Sequence, residues 1–234
     1  TSNRRMSRML NGYGEYKLDN GLRIALQETH TETISARLRV NYGPVHERKG
    51  EEGVAHFLEH CISGGGSEKY SAETSSNIIR LLGYSNAFTD PGMTGFEASM
   101  LKGDLEIWMD FISNHLFKPK PDKKKFEEER KRVLREIADI KSEPSFQTHE
   151  EFKNKFYRNH PKGIFAAGKE EVVRNLKLDE MMDFYSRGYH PNNMDLIVVG
   201  GLPNNIKKLV TTYFGFPPMG KNMRMKFPEI SPLE

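Results

Sequence analysis

The stretch "GVAHFLEHCIS", residues 53–63, places His56, Glu59 and His60 within five positions. On a helix at about 100° per residue, Val54, Phe57, Leu58, Cys61 and Ile62 gather on one stripe. The two histidines and the glutamate gather on the opposite face. Histidines at i and i+4 lie one turn apart, near enough to share one metal ion. Imidazole suits zinc, and a catalytic zinc site takes three protein ligands and leaves a position for water. Glu59, between the histidines, is placed to serve as general base toward a metal-activated water. The competing account is a solvated polar helix face that binds nothing. A third ligand would decide between them.

Residues 122–142 supply candidates. Asp122 is an expected N-cap after Pro121, and Pro144 lies just past the expected end. Phe126, Val133, Ile137 and Ile140 form an apolar stripe, with Glu129 and Glu136 two turns apart on its edge. A buried carboxylate is costly unless it is paired or holds a metal. Glu136, or else Glu129, is therefore the best third ligand. A salt-bridged pair within "EEERKR" is the alternative.

These side chains need a frame. Leu22, Ile24 and Leu26 alternate with polar neighbours, and Ile34, Ala36, Leu38, Val40 and Tyr42 do so over nine residues. The two segments are expected to form an antiparallel pair. Helical periods follow near 52–62, 71–82, 103–116, 148–157, 169–175, 178–187 and 203–213, with extended "SNAFTD" and "TGFEASML" between the second and third. "MDLIVVGG", 194–201, reads as a buried strand. The expected class is α+β, a largely antiparallel sheet packed by helices. One domain is expected over 1–234, with tails at about 1–12 and 222–234.

Composition narrows the function classes. Hydrophobic residues at 36% and charged residues at 29% describe a globular chain, not a disordered one. The net charge of +3 gives no nucleic-acid footprint. No apolar run reaches the roughly 18 residues of a membrane span. The single Cys61 excludes an internal disulfide and, with no signal-peptide pattern, favours a cytoplasmic setting.

"HFLEH" followed by "EEERKRVLREI" resembles the pitrilysin-type (M16, inverzincin) zinc metallopeptidases. That family includes insulin-degrading enzyme, pitrilysin and the mitochondrial processing peptidase. Its third ligand is a distal glutamate, with a supporting glutamate seven residues earlier. Glu136 lies 76 positions after His60, and Glu129 lies seven before Glu136. The resemblance implies His56, His60 and Glu136 as ligands of one zinc ion per chain, Glu59 as the base, and Glu129 as the carboxylate behind the ligands. "GYSNAFTDPGMTGF" looks like the family's peptide-binding edge strand, which implies Asn86, Ala87, Phe88 and Thr89 as substrate-binding residues. "FYSRGYHPNNMDLIVVGG" is similar to the family's closing helix and strand. The likeness runs from about Leu22 past Gly201. It departs at Leu82-Gly83, where the family usually has two glycines.

What the resemblance implies is a zinc endopeptidase acting on extended or unfolded peptides, which add a strand to a sheet edge. It also implies a second half-domain, supplied by a homodimer, a heterodimer partner or a missing C-terminal half. The alternative from another class is a non-catalytic, peptide-binding partner subunit of the same fold. A lyase with the same His-Glu-His order but a cysteine ligand is disfavoured, because Cys61 points to the other side of the helix.

Overall fold

The computed structural model describes residues 12–158 and 160–229. In chain order they form β1 (Tyr13–Lys17), β2 (Arg23–Glu28), β3 (Thr33–Val40), α1 (Val54–Gly64), β4 (Gly66–Ser67), α2 (Ala72–Leu81), β5 (Tyr84–Asp90) and β6 (Met93–Leu101). Then come α3 (Leu105–Phe117), β7 (Pro119–Lys120), α4 (Lys123–Ser142), α5 (Pro144–Tyr157), α6 (Glu170–Asn175), α7 (Leu178–Gly188), β8 (Met194–Gly200) and α8 (Ile206–Phe214). Alternation decides the sides. In β3, Ile34, Ala36, Leu38 and Val40 are buried while Thr33, Ser35 and Arg37 face out. The sheet is thus packed on one face and open on the other.

Six strands make one sheet in the order β1-β2-β8-β3-β6-β5, and β4 pairs with β7 apart from it. Every pairing is antiparallel except β2 with β8. The α+β class is as expected, but the direct pairing of 22–26 with 34–42 is not found. β8 lies between β2 and β3, parallel to the first and antiparallel to the second. The reason lies in the composition of β8. Met194, Leu196 and Val198 are fully buried, and Asp195 between them is buried too. Such a largely buried strand suits a central place in the sheet, with a ladder on each edge. β1 carries no apolar alternation to announce it, and it covers the outer edge of β2 from Tyr13↔Gln27 to Lys17↔Arg23.

α4 starts where its cap places it, with Asp122 Oδ1 accepting from Lys125 N at 3.0 Å. Pro144 follows the end of α4 and is itself the first residue of α5, where its missing N–H is harmless. The expected C-terminal tail is pinned over its described part. Asn193 donates to Lys221 O and accepts from Met223 N, and Arg224 reaches Asp195. Residues 1–11 and 230–234 of the expected tails lie outside the described residues. No helix among the described residues is long and apolar enough to cross a membrane.

Two features of this frame matter for chemistry. Among the described residues β5 is an edge strand, hydrogen-bonded to β6 alone. α1 and α4 lie against each other on the packed side, with the Phe57 and Phe126 rings 4.8 Å apart.

Candidate metal centre

α1 is held at its start by a residue from the loop before it. Glu47 Oε1 accepts from Ala55 N at 2.9 Å and Oε2 from Gly53 N at 3.1 Å. These are N–H groups that a helix leaves without intrahelical partners. Burial lifts the Glu47 carboxyl to about 8, against the pull of those two bonds. Gly53 itself sits at φ +107°, so a side chain there would be strained. Nothing in the sequence marks Glu47. It precedes the helix by seven residues, outside any capping pattern.

The face of α1 that carries His56, Glu59 and His60 does not look into open water. His56 is 8% exposed and Glu59 6%, because β5 and α4 lie over them. His56 Nε2 and His60 Nε2 approach to 3.3 Å. Glu136 completes a triangle, with Oε1 3.5 Å from His56 Nε2 and Oε2 3.2 Å from His60 Nε2. Ligand atoms at roughly 2.0–2.1 Å from a tetrahedral zinc stand about 3.3 Å apart, so these edges fit that ion. The donor set is the right one as well, two imidazoles and one carboxylate. Among the described residues, these three are the group whose ligand atoms all lie within 4.8 Å of one another.

Glu129 is not in that triangle. Its carboxylate lies behind His60, with Oε2 3.6 Å from His60 Nδ1, while Oε1 meets Lys125 Nζ at 3.0 Å. The sequence left Glu129 and Glu136 as alternatives, and the fold separates them. Glu136 reaches the Nε2 side, and Glu129 the Nδ1 side. Gly64 makes this possible, since a Cβ there would stand 2.8 Å from Glu129 Oε1. Burial alone would raise Glu129, but His60, Lys125 and Arg132 hold it below its ordinary range. Burial pulls His60 down, yet Glu129 and Glu136 overcome it and lift the ring to about 9. Contact with His56 and then His60 holds Glu136 well below the carboxylate range. Burial moves Glu59 the other way, upward, against the nearby histidines and the Thr89 hydroxyl. Two carboxylates in one cleft are thus shifted in opposite directions, Glu136 down and Glu59 up.

The four expected peptide-binding residues all lie on β5, and their side chains alternate. Thr89 turns inward and donates to Glu59 Oε2 at 2.9 Å. Ala87 turns inward too and packs on the core. Phe88 turns to the open face, where it lies over Gly95 with the Arg37 guanidinium 5.3 Å from its ring. Asn86 shares that face by register. What β5 offers along its whole length is its free backbone edge. That edge, α1, Glu136 and residues 162–167 enclose a cleft of about 850 Å³.

The description "Insulinase (Peptidase family M16)" belongs to the family model matching residues 23–169, and "Peptidase M16 inactive domain" to the one matching residues 175–232. The gap between the two is not a gap in the fold, since the second stretch supplies β8, the strand between β2 and β3. The chain is 27% identical over 216 residues to an uncharacterized zinc protease, YmxG, of Bacillus subtilis, covering 92% of this chain and 53% of that one. It is 26% identical to the mitochondrial-processing peptidase subunit beta of Dictyostelium discoideum, covering 79% and 40%. The first half of the periplasmic protease PqqL from Escherichia coli superposes with a TM-score of 0.85 at 22% identity, covering 97% of this chain and 50% of that one. The chain thus spans about half the length of the curated relatives it matches. With the first family model matching well over half of its residues, the chain belongs to peptidase family M16, the insulinase family.

Proposed function

We propose that the chain is the zinc-binding half of an endopeptidase that hydrolyses extended or unfolded peptides. The observation that carries this is the convergence of His56 Nε2, His60 Nε2 and the Glu136 carboxylate, with Glu59 beside them and an unpaired strand edge alongside. His56, His60 and Glu136 would hold the ion, and Glu129 would orient His60 from behind. Zinc, when bound, supplies Lewis acidity toward a carbonyl and an acidified water. Glu59 takes the proton of the attacking water and returns it to the leaving amine. Its raised pKa suits that exchange, and the Thr89 hydroxyl fixes its orientation. The β5 edge binds the peptide through main-chain hydrogen bonds, which select extended chains with little demand on sequence. A second M16-type half, from the same or another chain, would close over the cleft. Cys61 as the lone cysteine fits a reducing compartment such as the cytoplasm.

The test is zinc stoichiometry together with cleavage of an unstructured peptide, wild type against Glu59→Gln. The variant should retain zinc and lose turnover. Equal turnover in both would overturn the mechanism. The second reading, a non-catalytic partner subunit, is favoured by the match of residues 175–232 to a domain described as inactive. Peptide binding without cleavage, even with a candidate second half added, would select it.

A further inference from the structure

Past the β5–β6 turn the cleft meets a second cavity of about 520 Å³. Asp90, Pro91, Lys153 and Lys162 line both, so the two join there. The apolar walls of the second cavity come mainly from three parts of the chain. Met93 follows the turn, Phe152 and Tyr157 belong to α5, and Met225 and Phe227 belong to the C-terminal segment. Phe152 is 54% exposed and Met225 53%. Large apolar side chains left open together at the end of a cleft mark a binding surface.

This wall is built into the fold. The Phe227 ring fills the space beside Gly92, where a Cβ would lie 2.5 Å from it. Its other neighbour is the His160 ring, edge-on at 6.0 Å. His160 Nε2 in turn donates to Pro228 O at 2.9 Å, which fixes the segment. The charges at the junction are uneven. Two lysines stand there against one acid, Asp90. Lys153 is paired with Glu150 at 3.4 Å, but no described acid pairs with Lys162.

We propose that this second cavity is a side-chain subsite for the peptide lying along β5. It takes a large apolar residue flanked by an acidic one, whose carboxylate pairs with Lys162. The inference rests on the peptide reading above. The turn begins two residues after Thr89, so a strand advancing roughly 3.3 Å per residue reaches the cavity within a few residues of Glu59. Burying the apolar side chain supplies most of the preference, and the exposed ion pair adds a smaller part.

The experiment uses the zinc-loaded Glu59→Gln chain and three fluorescent, unstructured peptides that differ only at one dipeptide, Phe-Asp, Phe-Lys or Ala-Asp. Anisotropy should rank Phe-Asp tightest, with Ala-Asp on the order of tenfold weaker. Adding Lys162→Glu should reverse the order of Phe-Asp and Phe-Lys, by roughly three- to fivefold. Lys162 is exposed, so the variant should fold, and the wild-type ranking tests the subsite without it. Equal affinities for all three peptides would overturn the subsite, while cleavage of the Ala-Asp peptide by the Glu59 chain would leave the peptidase reading standing. No binding of any peptide would overturn both. If another copy of the chain fills the cavity instead, the affinities will be equal and the mass by light scattering will rise with concentration, which also overturns it.

Discussion

Two clusters of buried charge lie on this sheet and its helices, one around Asp195 and one around His56 and His60. At Asp195 the donors close on the acceptor. Arg23 Nε reaches Oδ1 at 2.6 Å and Arg224 Nη2 reaches it at 2.8 Å, while Arg39 Nε and Asn41 Nδ2 reach Oδ2 at 2.9 Å each. Burial would raise that carboxyl, but these bonds hold it well below its usual range. At α1 the imidazoles and carboxylates meet one another, but the match is incomplete. Two Nε2 atoms face each other at 3.3 Å, and His56 Nδ1 is buried with no partner among the described residues. The Asp195 cluster is closed on itself, whereas the cluster on α1 keeps a buried nitrogen unpaired and three ligand atoms at metal-binding spacing.

The largest effect should separate the two clusters by function. Glu59→Gln should lower kcat by roughly 10²–10⁴-fold, with zinc content and the urea midpoint unchanged. Asp195→Ala should do the reverse. It strands three arginines around a buried site and should destabilise the fold by about 2–3 kcal/mol in urea unfolding, discounted for the exposure of Arg23, while zinc stoichiometry stays at one. The pH dependence follows the same division. The Asp195 carboxyl is depressed in the folded state, so its contribution is present above its unfolded value of about 3.9 and is lost as pH falls below it. Asp195→Asn should flatten that acid limb of the stability curve. Glu129→Gln lies between the clusters in kind, a fold-side contact that bears on a ligand. It should weaken zinc affinity by about 10–100-fold, read by competition with a chelating dye, with a smaller change in stability. Glu47→Ala should have the smallest effect, about 1 kcal/mol lost in urea unfolding from the start of α1. A loss above about 3 kcal/mol there would mean that Glu47 is part of a closed cluster like that at Asp195.

The sequence makes one of these clusters legible and hides the other. His56, Glu59 and His60 share a helix, so their spacing alone sets them on one face, and the regular stripe of the second helix brings Glu129 and Glu136 into view. What the wheel misses is the setting. It separates that face from the apolar stripe but cannot see β5 and α4 arriving over it. Asp195 and its arginines come from β2, β3, β8 and the C-terminal segment, and no local pattern joins them. The expected pairing of β2 with β3 fails for the same reason, since local alternation identifies strands but not which one inserts between two others. Glu47 and the second cavity depend on loops and on a returning C-terminal segment, where side-chain period carries no information.

The place of β8 has a consequence for synthesis. All three side chains of the proposed metal triangle, and the base beside them, leave the ribosome before residue 137. The strand that joins β2 to β3 is not made until residues 194–200. Contacts this distant form late, because the intervening chain must be closed into a loop first. A nascent chain that stops near residue 169 therefore holds every atom of the triangle, with β1–β2 and β3–β6–β5 not yet joined. Joining of the two parts of the sheet waits until residues 194–200 have emerged, a delay set by strand order.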